Sequence, residues 1–390
     1  MDGRRGERPG HIYSRNTNPT VEEFERRMRA LEGAEDATSF ATGMAAISNT
    51  LFTLLSPGER VVSVKDSSGG TNKLFVEFLP RFGIDAVLCN TTDFDAIEAE
   101  IAKGCKVVYL ESPTNPTFKV VDLQRLAASA HAVGAIVVVD NTFATPINQR
   151  PLQLGADLVV HSATKFLGGH SDAMGGVVCG NKALVREIFH FREINGATLD
   201  PMSAFLLSRG LKTLELRVGR HNRNALAVAG FLAVHPRVQA VFYPGLVDHP
   251  EHAIARRQMS GFGGVLAFSL TDGAETMRQV VGKLRLAHRA ASLGSVGTLA
   301  GPPATTSHVE LSPAERAAAG DAWLKYHRPT IEWTGAQYEP ARIDPGHRIV
   351  NVVTESFRSA TGGRAIVRGM PYGADMRLLV NQGNSPPSTN

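Results

Sequence analysis

The sequence predicts an α/β fold, a mainly parallel β-sheet sandwiched by helices and followed by a smaller C-terminal α/β domain. Short, valine-rich runs recur between helix-like stretches, and continuous apolar strands alternating with helices indicate a parallel sheet covered on both faces. At 390 residues the chain is too long for one ordinary core, which implies about two domains.

The elements follow in order. In TVEEFERRMRALEG, Val21, Phe24, Met28 and Leu31 fall on one side of a helix that Gly33 stops. GMAAISNTLFTLL reads as a mostly apolar helix opening at Gly43. Strands are expected at RVVSVK, DAVLC, KVVYLES, AIVVVDN, DLVVHS and GGVVCG, with DFDAIEAEIAKG and DLQRLAASAHAVG as helices among them. A second region begins near residue 215, where GRHNRNALAVAGFLAVHP reads as a helix and QAVFYPGL and GFGGVLAFSL as strands. The expected domains are an N-terminal arm (1–20), a large domain (21–215), a small domain (216–320) and an atypical tail (321–390). The final NQGNSPPSTN is polar and proline-containing, as disordered termini are.

Composition excludes several function classes. With 43% hydrophobic and 20% charged residues the chain is ordinary for a globular protein, and its net charge of +4 comes without a long basic run interleaved with aromatics. A nucleic-acid partner is therefore not expected. Cys89, Cys105 and Cys179 form no CxxC pair, which argues against a disulfide framework or a zinc site. No apolar stretch reaches membrane-spanning length, and MDGRRGERPG lacks the apolar region of a signal peptide. A cytoplasmic protein without a membrane partner is the expectation.

The candidate chemistry centres on Lys165, in LVVHSATKFLGGHSDAMGGVV, between a buried-type strand and a glycine-rich turn. Partial desolvation lowers an ammonium pKa toward the nucleophilic form, as a Schiff-base lysine requires, and the hydroxyls of Ser162 and Thr164 could hold a phosphate. The plain alternative is a surface lysine after a strand. Asp140 ends AIVVVD, and a carboxylate backed by an apolar sheet is costly unless it meets a cation such as a protonated pyridine. Otherwise it caps the following turn. Gly43 and Met44 open a helix whose exposed N–H groups suit an anion, although helices starting with glycine are common. Tyr13 and Arg15 could donate to a phosphate, or could belong to a solvated arm. Asn115 could bond a ring hydroxyl or make an Asx turn before Pro116. His161 and His170 have no third ligand at metal spacing and read as packing or hydrogen-bonding residues. Arg256, Arg257, Arg217 and Arg220 read as solvated or inter-subunit faces.

Taken together, YSRNTNPT, GMAAI, ESPTNP, VVVDNTFATP, HSATKFLGGHSD, RGLKTLELR, QMSGFGGVLAF and AASLGSVGTL resemble the Cys/Met-metabolism family of pyridoxal-phosphate (PLP) enzymes. That family includes cystathionine γ-synthases, cystathionine γ- and β-lyases and methionine γ-lyases. The resemblance runs from about residue 11 to 320. It implies the fold-type I PLP transferase-like architecture, with the cofactor in the large domain, and a homotetramer with shared active sites. By resemblance, Lys165 is the Schiff-base lysine and later moves protons. Asp140 partners the pyridine nitrogen, and Gly43, Met44, Ser162 and Thr164 bind the phosphate. Tyr13 and Arg15 reach the neighbouring subunit's phosphate, and that tyrosine assists proton transfer at the leaving group. Asn115 faces the cofactor or the substrate carboxylate, and Ser292 helps to hold the substrate carboxylate.

Three departures from the family pattern stand out. Ser68, in KDSSGGTNK, occupies the place of a ring-stacking tyrosine. Only a short arginine-rich lead precedes YSR. After RAAAG the chain continues as DAWLKYHRPTIEW, which does not match, so the family's carboxylate-binding arginine is missing unless Arg328 substitutes. The implied activity is γ-elimination or γ-replacement on cystathionine-type or homoserine-ester substrates. The competing expectations are a cofactor-binding protein with weak or no catalysis, and an enzyme acting on an unusual γ-substituted amino acid.

Overall fold

The structure is a computed structural model that describes residues 10–271, 273–290 and 292–303, with Glu355 alone beyond them. The tail expected over 321–390, Arg328 included, lies outside the described residues, as does the start of the N-terminal arm. The chain divides into two compact units, Met1–Pro329 and Thr330–Asn390. Apart from Glu355, the described residues all belong to the first.

In chain order the elements are α1 (Pro19–Glu32), β1 (Asp36–Phe40), α2 (Gly43–Leu54), β2 (Arg60–Val64), α3 (Gly69–Lys73), β3 (Asp85–Cys89), α4 (Phe94–Ala102) and β4 (Val107–Glu111). Next come α5 (Leu123–Ala132), β5 (Ile136–Asp140), α6 (Thr145–Asn148), β6 (Leu158–Ser162), β7 (Gly176–Gly180), α7 (Lys182–Asn195), α8 (Pro201–Leu211) and α9 (Leu214–Ala233). A smaller α/β region follows with β8 (Val238–Phe242), α10 (His252–Gln258), β9 (Ala267–Leu270), α11 (Gly273–Lys283), β10 (Ala287–His288) and β11 (Thr298–Leu299).

β1 to β7 form one sheet in the order β1-β7-β6-β5-β4-β2-β3. β3, β2, β4, β5 and β6 run parallel, whereas β7 is antiparallel to both β6 and β1. One face packs Val61, Tyr109, Val138, Val160 and Val178 against Ile47 and Leu51 of α2 and Ile188 of α7. The other packs Val62, Val108 and Val139 against Ile97 of α4 and Leu126 of α5. Both faces are therefore covered, and this explains why the strands read as unbroken apolar runs. The parallel strands place their carboxyl ends, Glu111, Asp140 and Ser162, side by side, where such sheets collect ligands.

α1 begins at Pro19, with the Asn18 side chain accepting from the Thr20 N–H, and ends on Gly33 at φ +70°. β1 was not among the expected strands. Its sequence DATSF is half polar, yet Thr38 and Ser39 are fully buried. Ser39 is accommodated because its N–H and hydroxyl both donate to the buried Glu25 carboxylate, at 2.8 and 2.9 Å. A partner 14 residues away satisfies the polar groups, and no periodicity records that.

Candidate active site

A cleft of about 2050 Å³ opens at the strand ends and runs on toward α9, β9 and α11. This exceeds the roughly 300–1,000 Å³ of an ordinary ligand pocket, and the candidate chemistry lines only one end of it. Lys165, Asp140, Gly43, Met44, Ser162, Thr164, Asn115 and Ser292 all belong to the lining. Tyr13 and Arg15 do not. Tyr13 is 59% exposed; Arg15 sits over its ring and donates to the Glu193 carbonyl.

Lys165 follows the end of β6 in a tight turn, its N–H bonded to the Ser162 carbonyl at 3.1 Å. Burial lowers the pKa of its ammonium, the direction a nucleophilic amine needs. Its Nζ donates to Ser292 Oγ at 3.2 Å. Ser292, assigned by resemblance to the substrate carboxylate, therefore touches the lysine itself in this structure.

Asp140 ends β5 and is only 6% exposed. Burial raises its carboxyl pKa, while the Thr142 hydroxyl and N–H and the Tyr109 phenol act in the opposite direction. The Thr142 N–H reaches Oδ1 at 2.9 Å. Beside Asp140 in register on β4 stands Glu111, also buried, its pKa pushed well up by burial and then by the Asp140 charge. Glu111 accepts the Ser68 N–H at 2.9 Å and a backbone bond from Asn115. It joins the loop carrying Ser68 to the loop carrying Asn115, a role the sequence reading missed. Its one signal was a carboxylate at the end of an apolar strand.

At the opening of α2, Thr42 caps the helix by accepting the Ala45 N–H at 3.0 Å, and the N–H groups of Gly43 and Met44 ahead of it are the ones that suit an anion. Gly43 lies so close to β6 that a Cβ added there would sit 2.6 Å from Ser162 Cβ. Thr164 lines the cleft, with its hydroxyl bonded to the backbone of Gly175 at 3.1 and 3.2 Å. His161 is fully buried and pairs with Glu32 of α1 at 2.5 Å, and His170 bonds the Gly168 carbonyl at 2.7 Å. Both are the hydrogen-bonding residues expected of them. Among the described residues there is no group of acidic, histidine and cysteine side chains able to hold a metal.

One expectation is overturned. Arg217 was read as part of a solvated or inter-subunit face, but it is 8% exposed. Its guanidinium donates to the carbonyls of Phe166 at 2.7 Å, Leu167 at 3.3 Å and Gly210 at 2.9 Å. Burial lowers its pKa. The turn immediately after Lys165 folds around this cation so closely that a Cβ on Gly169, at φ +71°, would lie 2.1 Å from Arg217 Nη1. Main-chain carbonyls satisfy the guanidinium, and nothing in the local sequence of α9 records them.

Residues 1–322 match the family described as Cys/Met metabolism PLP-dependent enzyme. The chain belongs to this family. It is 44% identical over 315 residues to an O-succinylhomoserine sulfhydrylase of Pseudomonas aeruginosa, covering 81% of this chain and 78% of the relative. It is 45% identical over 317 residues to an L-methionine gamma-lyase of Pseudomonas putida, covering 81% and 80%. Among solved structures, a cystathionine gamma synthase from Xanthomonas oryzae pv. oryzae, in complex with aminoacrylate and cysteine, superposes with a TM-score of 0.79 at 38% identity. That match covers 81% of this chain and 82% of the other.

The residues of this PLP enzyme fit the cofactor. A buried carboxylate short of a cation, a desolvated amine and a helix start pressed against a serine offer one partner each for a pyridinium, an aldehyde and a phosphate. The buried hydroxyls of Ser67 and Thr117, in the same lining, have no partner among the described residues. No described helix is long and apolar enough to cross a membrane.

Proposed function

We propose that this PLP-dependent transsulfuration enzyme carries out γ-elimination or γ-replacement on cystathionine-type or homoserine-ester substrates. The observation that carries the reading is the order of groups along one wall of the cleft: Asp140 at one strand end, Lys165 beyond the next, and the Gly43 helix start against Ser162. PLP, when bound, supplies an electron sink for charge developing on the substrate. Asp140 would hold the ring nitrogen, with Gly43, Met44, Ser162 and Thr164 at the phosphate. Lys165 would attach the cofactor and, once displaced by substrate, carry protons between substrate carbons, with Ser292 keeping its amine in place. Asn115 orients cofactor or substrate. Residues 21–215 would form the cofactor domain and 216–320 the smaller one.

The test is turnover of cystathionine, of methionine, and of O-succinylhomoserine with cysteine by the purified holoenzyme. Release of a 2-oxo acid indicates elimination, and consumption of the thiol indicates replacement. Failure with all three substrates would defeat this reading. Ser68 supports a second one, weak catalysis or an unusual γ-substituted substrate, because its hydroxyl is turned toward Thr71 at 2.7 Å and cannot stack on a ring. Stacking contributes roughly 0.5–1.5 kcal/mol beyond burial, so cofactor binding survives its loss. A visible cofactor band without turnover of any of the three substrates would favour this second reading.

A homotetramer with shared sites accounts for the position of Tyr13 and Arg15. Both lie outside their own cleft, as do the exposed apolar Met202 and Phe205 of α8, the surface character that marks association. Co-expressed Tyr13→Ala and Lys165→Ala chains should then regain about a quarter of the sites, since a closed assembly lets one chain complete its neighbour's site. If the mixture is no more active than its parents, the shared site is wrong.

A further inference from the structure

A line of hydroxyls connects Asp140 to the position where the chain departs from the family pattern. The Tyr109 phenol donates to Asp140 Oδ2 at 3.4 Å. Thr71 favours the ionised form of the same phenol, against the effect of burial, and Ser68 Oγ lies 2.7 Å from Thr71 Oγ1. Tyr109 uses its only proton on the carboxylate, so its oxygen is left to accept. The Thr71 hydroxyl beside it also has Met44 Sδ at 3.9 Å, and either hydroxyl of the Ser68–Thr71 pair can donate to the other.

The members of this line are held firmly. Tyr109 and Thr71 are both fully buried, and Phe75 packs edge-on against the Tyr109 ring with centroids 5.5 Å apart. Tyr109 faces Val138 across the parallel β4–β5 register, two residues before Asp140, so phenol and carboxylate share one face of the sheet. Burial keeps the phenol protonated well past its usual range. At 3.4 Å the bond is long for O–H···O. The other titratable groups about Asp140 are Glu111 on β4, coupled to it by like charge, and His161 on β6, which favours its ionised form.

We propose that Tyr109 is a positioning residue for the cofactor, its phenol oriented by the Thr71–Ser68 hydroxyl pair to hold Asp140 ionised and aimed at the ring nitrogen. This rests on the reading of Asp140 as that nitrogen's partner. The serine that cannot stack on the ring thus acts on it from behind, because hydrogen-bonded hydroxyls polarise one another and strengthen the last bond.

The experiment uses holoenzyme reconstituted with PLP labelled with ¹⁵N in the ring, titrated with pH by NMR, alongside equilibrium cofactor affinity. Removing a hydrogen bond to a charged group in Tyr109→Phe should weaken affinity up to about tenfold. It should also make the Asp140 carboxylate more basic, so that the ring nitrogen and the carboxylate give up their shared proton about one pH unit higher. Ser68→Ala should shift it in the same direction by less. Thr71→Val, which leaves the Tyr109 ring packing and the phenol's bond to Asp140 in place, should shift it in the same direction but less than Tyr109→Phe. A Tyr109→Phe or Thr71→Val enzyme that titrates like wild type overturns the inference. Asp140→Ala separates the two readings: if it too titrates like wild type, the Asp140 assignment itself has failed. If it alone loses the ring proton or the cofactor, that assignment stands and only the role of Tyr109 falls.

Discussion

Lys165→Ala is expected to abolish turnover and the visible absorbance of the lysine-bound cofactor, while the chain still folds. The half-buried amine, its ammonium form disfavoured by burial and its Nζ held by Ser292, would be both the attachment point and the proton carrier. Loss of a positioned proton-transfer group alone costs about 10²–10⁴-fold in rate, and loss of covalent attachment adds to that. PLP should still be retained on dialysis through Asp140 and the Gly43–Ser162 contact, though less tightly. Stopped assays and a visible spectrum at matched protein concentration check this. Turnover within tenfold of wild type, or an unchanged visible band, would remove Lys165 from the centre of the reaction.

Arg217→Ala should be the most destabilising single truncation near the site. The guanidinium ties the carbonyls of Phe166, Leu167 and Gly210 together; its removal takes this donor from the Phe166 and Leu167 carbonyls, while Gly210 keeps the N–H and hydroxyl of Thr213. Each buried unsatisfied acceptor costs about 1–3 kcal/mol. The sum, offset by relaxation, is about 3–5 kcal/mol, at the upper end for point substitutions. Arg217→Lys should recover part of it, since an ammonium has three donors but not the planar fork. Urea midpoints would measure the effect, and a loss below about 1 kcal/mol would show that the contacts carry little energy. Because the freed turn begins at Phe166, residual activity should fall further than stability alone predicts.

The sequence carried the parallel strands and their covering helices plainly, because strands buried on both faces must be continuously apolar. β2 to β7 match the valine-rich runs. β1 escaped notice because its sequence is largely polar, and its buried Ser39 is tolerated only where Glu25 reaches it. Within the site, Lys165 and Asp140 were readable as charged residues at the ends of apolar strands, where an unpaired charge is costly. Arg217 was misread, and Glu111 and Tyr109 passed unremarked, since each takes its meaning from partners far along the chain.

The amino-acid sequence alone carries the fold class and the PLP family, and it points to the acid, amine and helix start proposed for the cofactor. Those are set by local periodicity and by motifs a few residues long. What sequence leaves open, and the tertiary structure decides, is that Arg217 is buried beneath the lysine turn, that Glu111 joins two loops, that Ser68 bonds Thr71 and that Tyr109 bonds Asp140. The physical reason is that hydrogen bonds and desolvation act through space. The donor of one of these side chains and its acceptor lie up to 51 positions apart in the chain, and the sequence around either one is the same whether or not they meet.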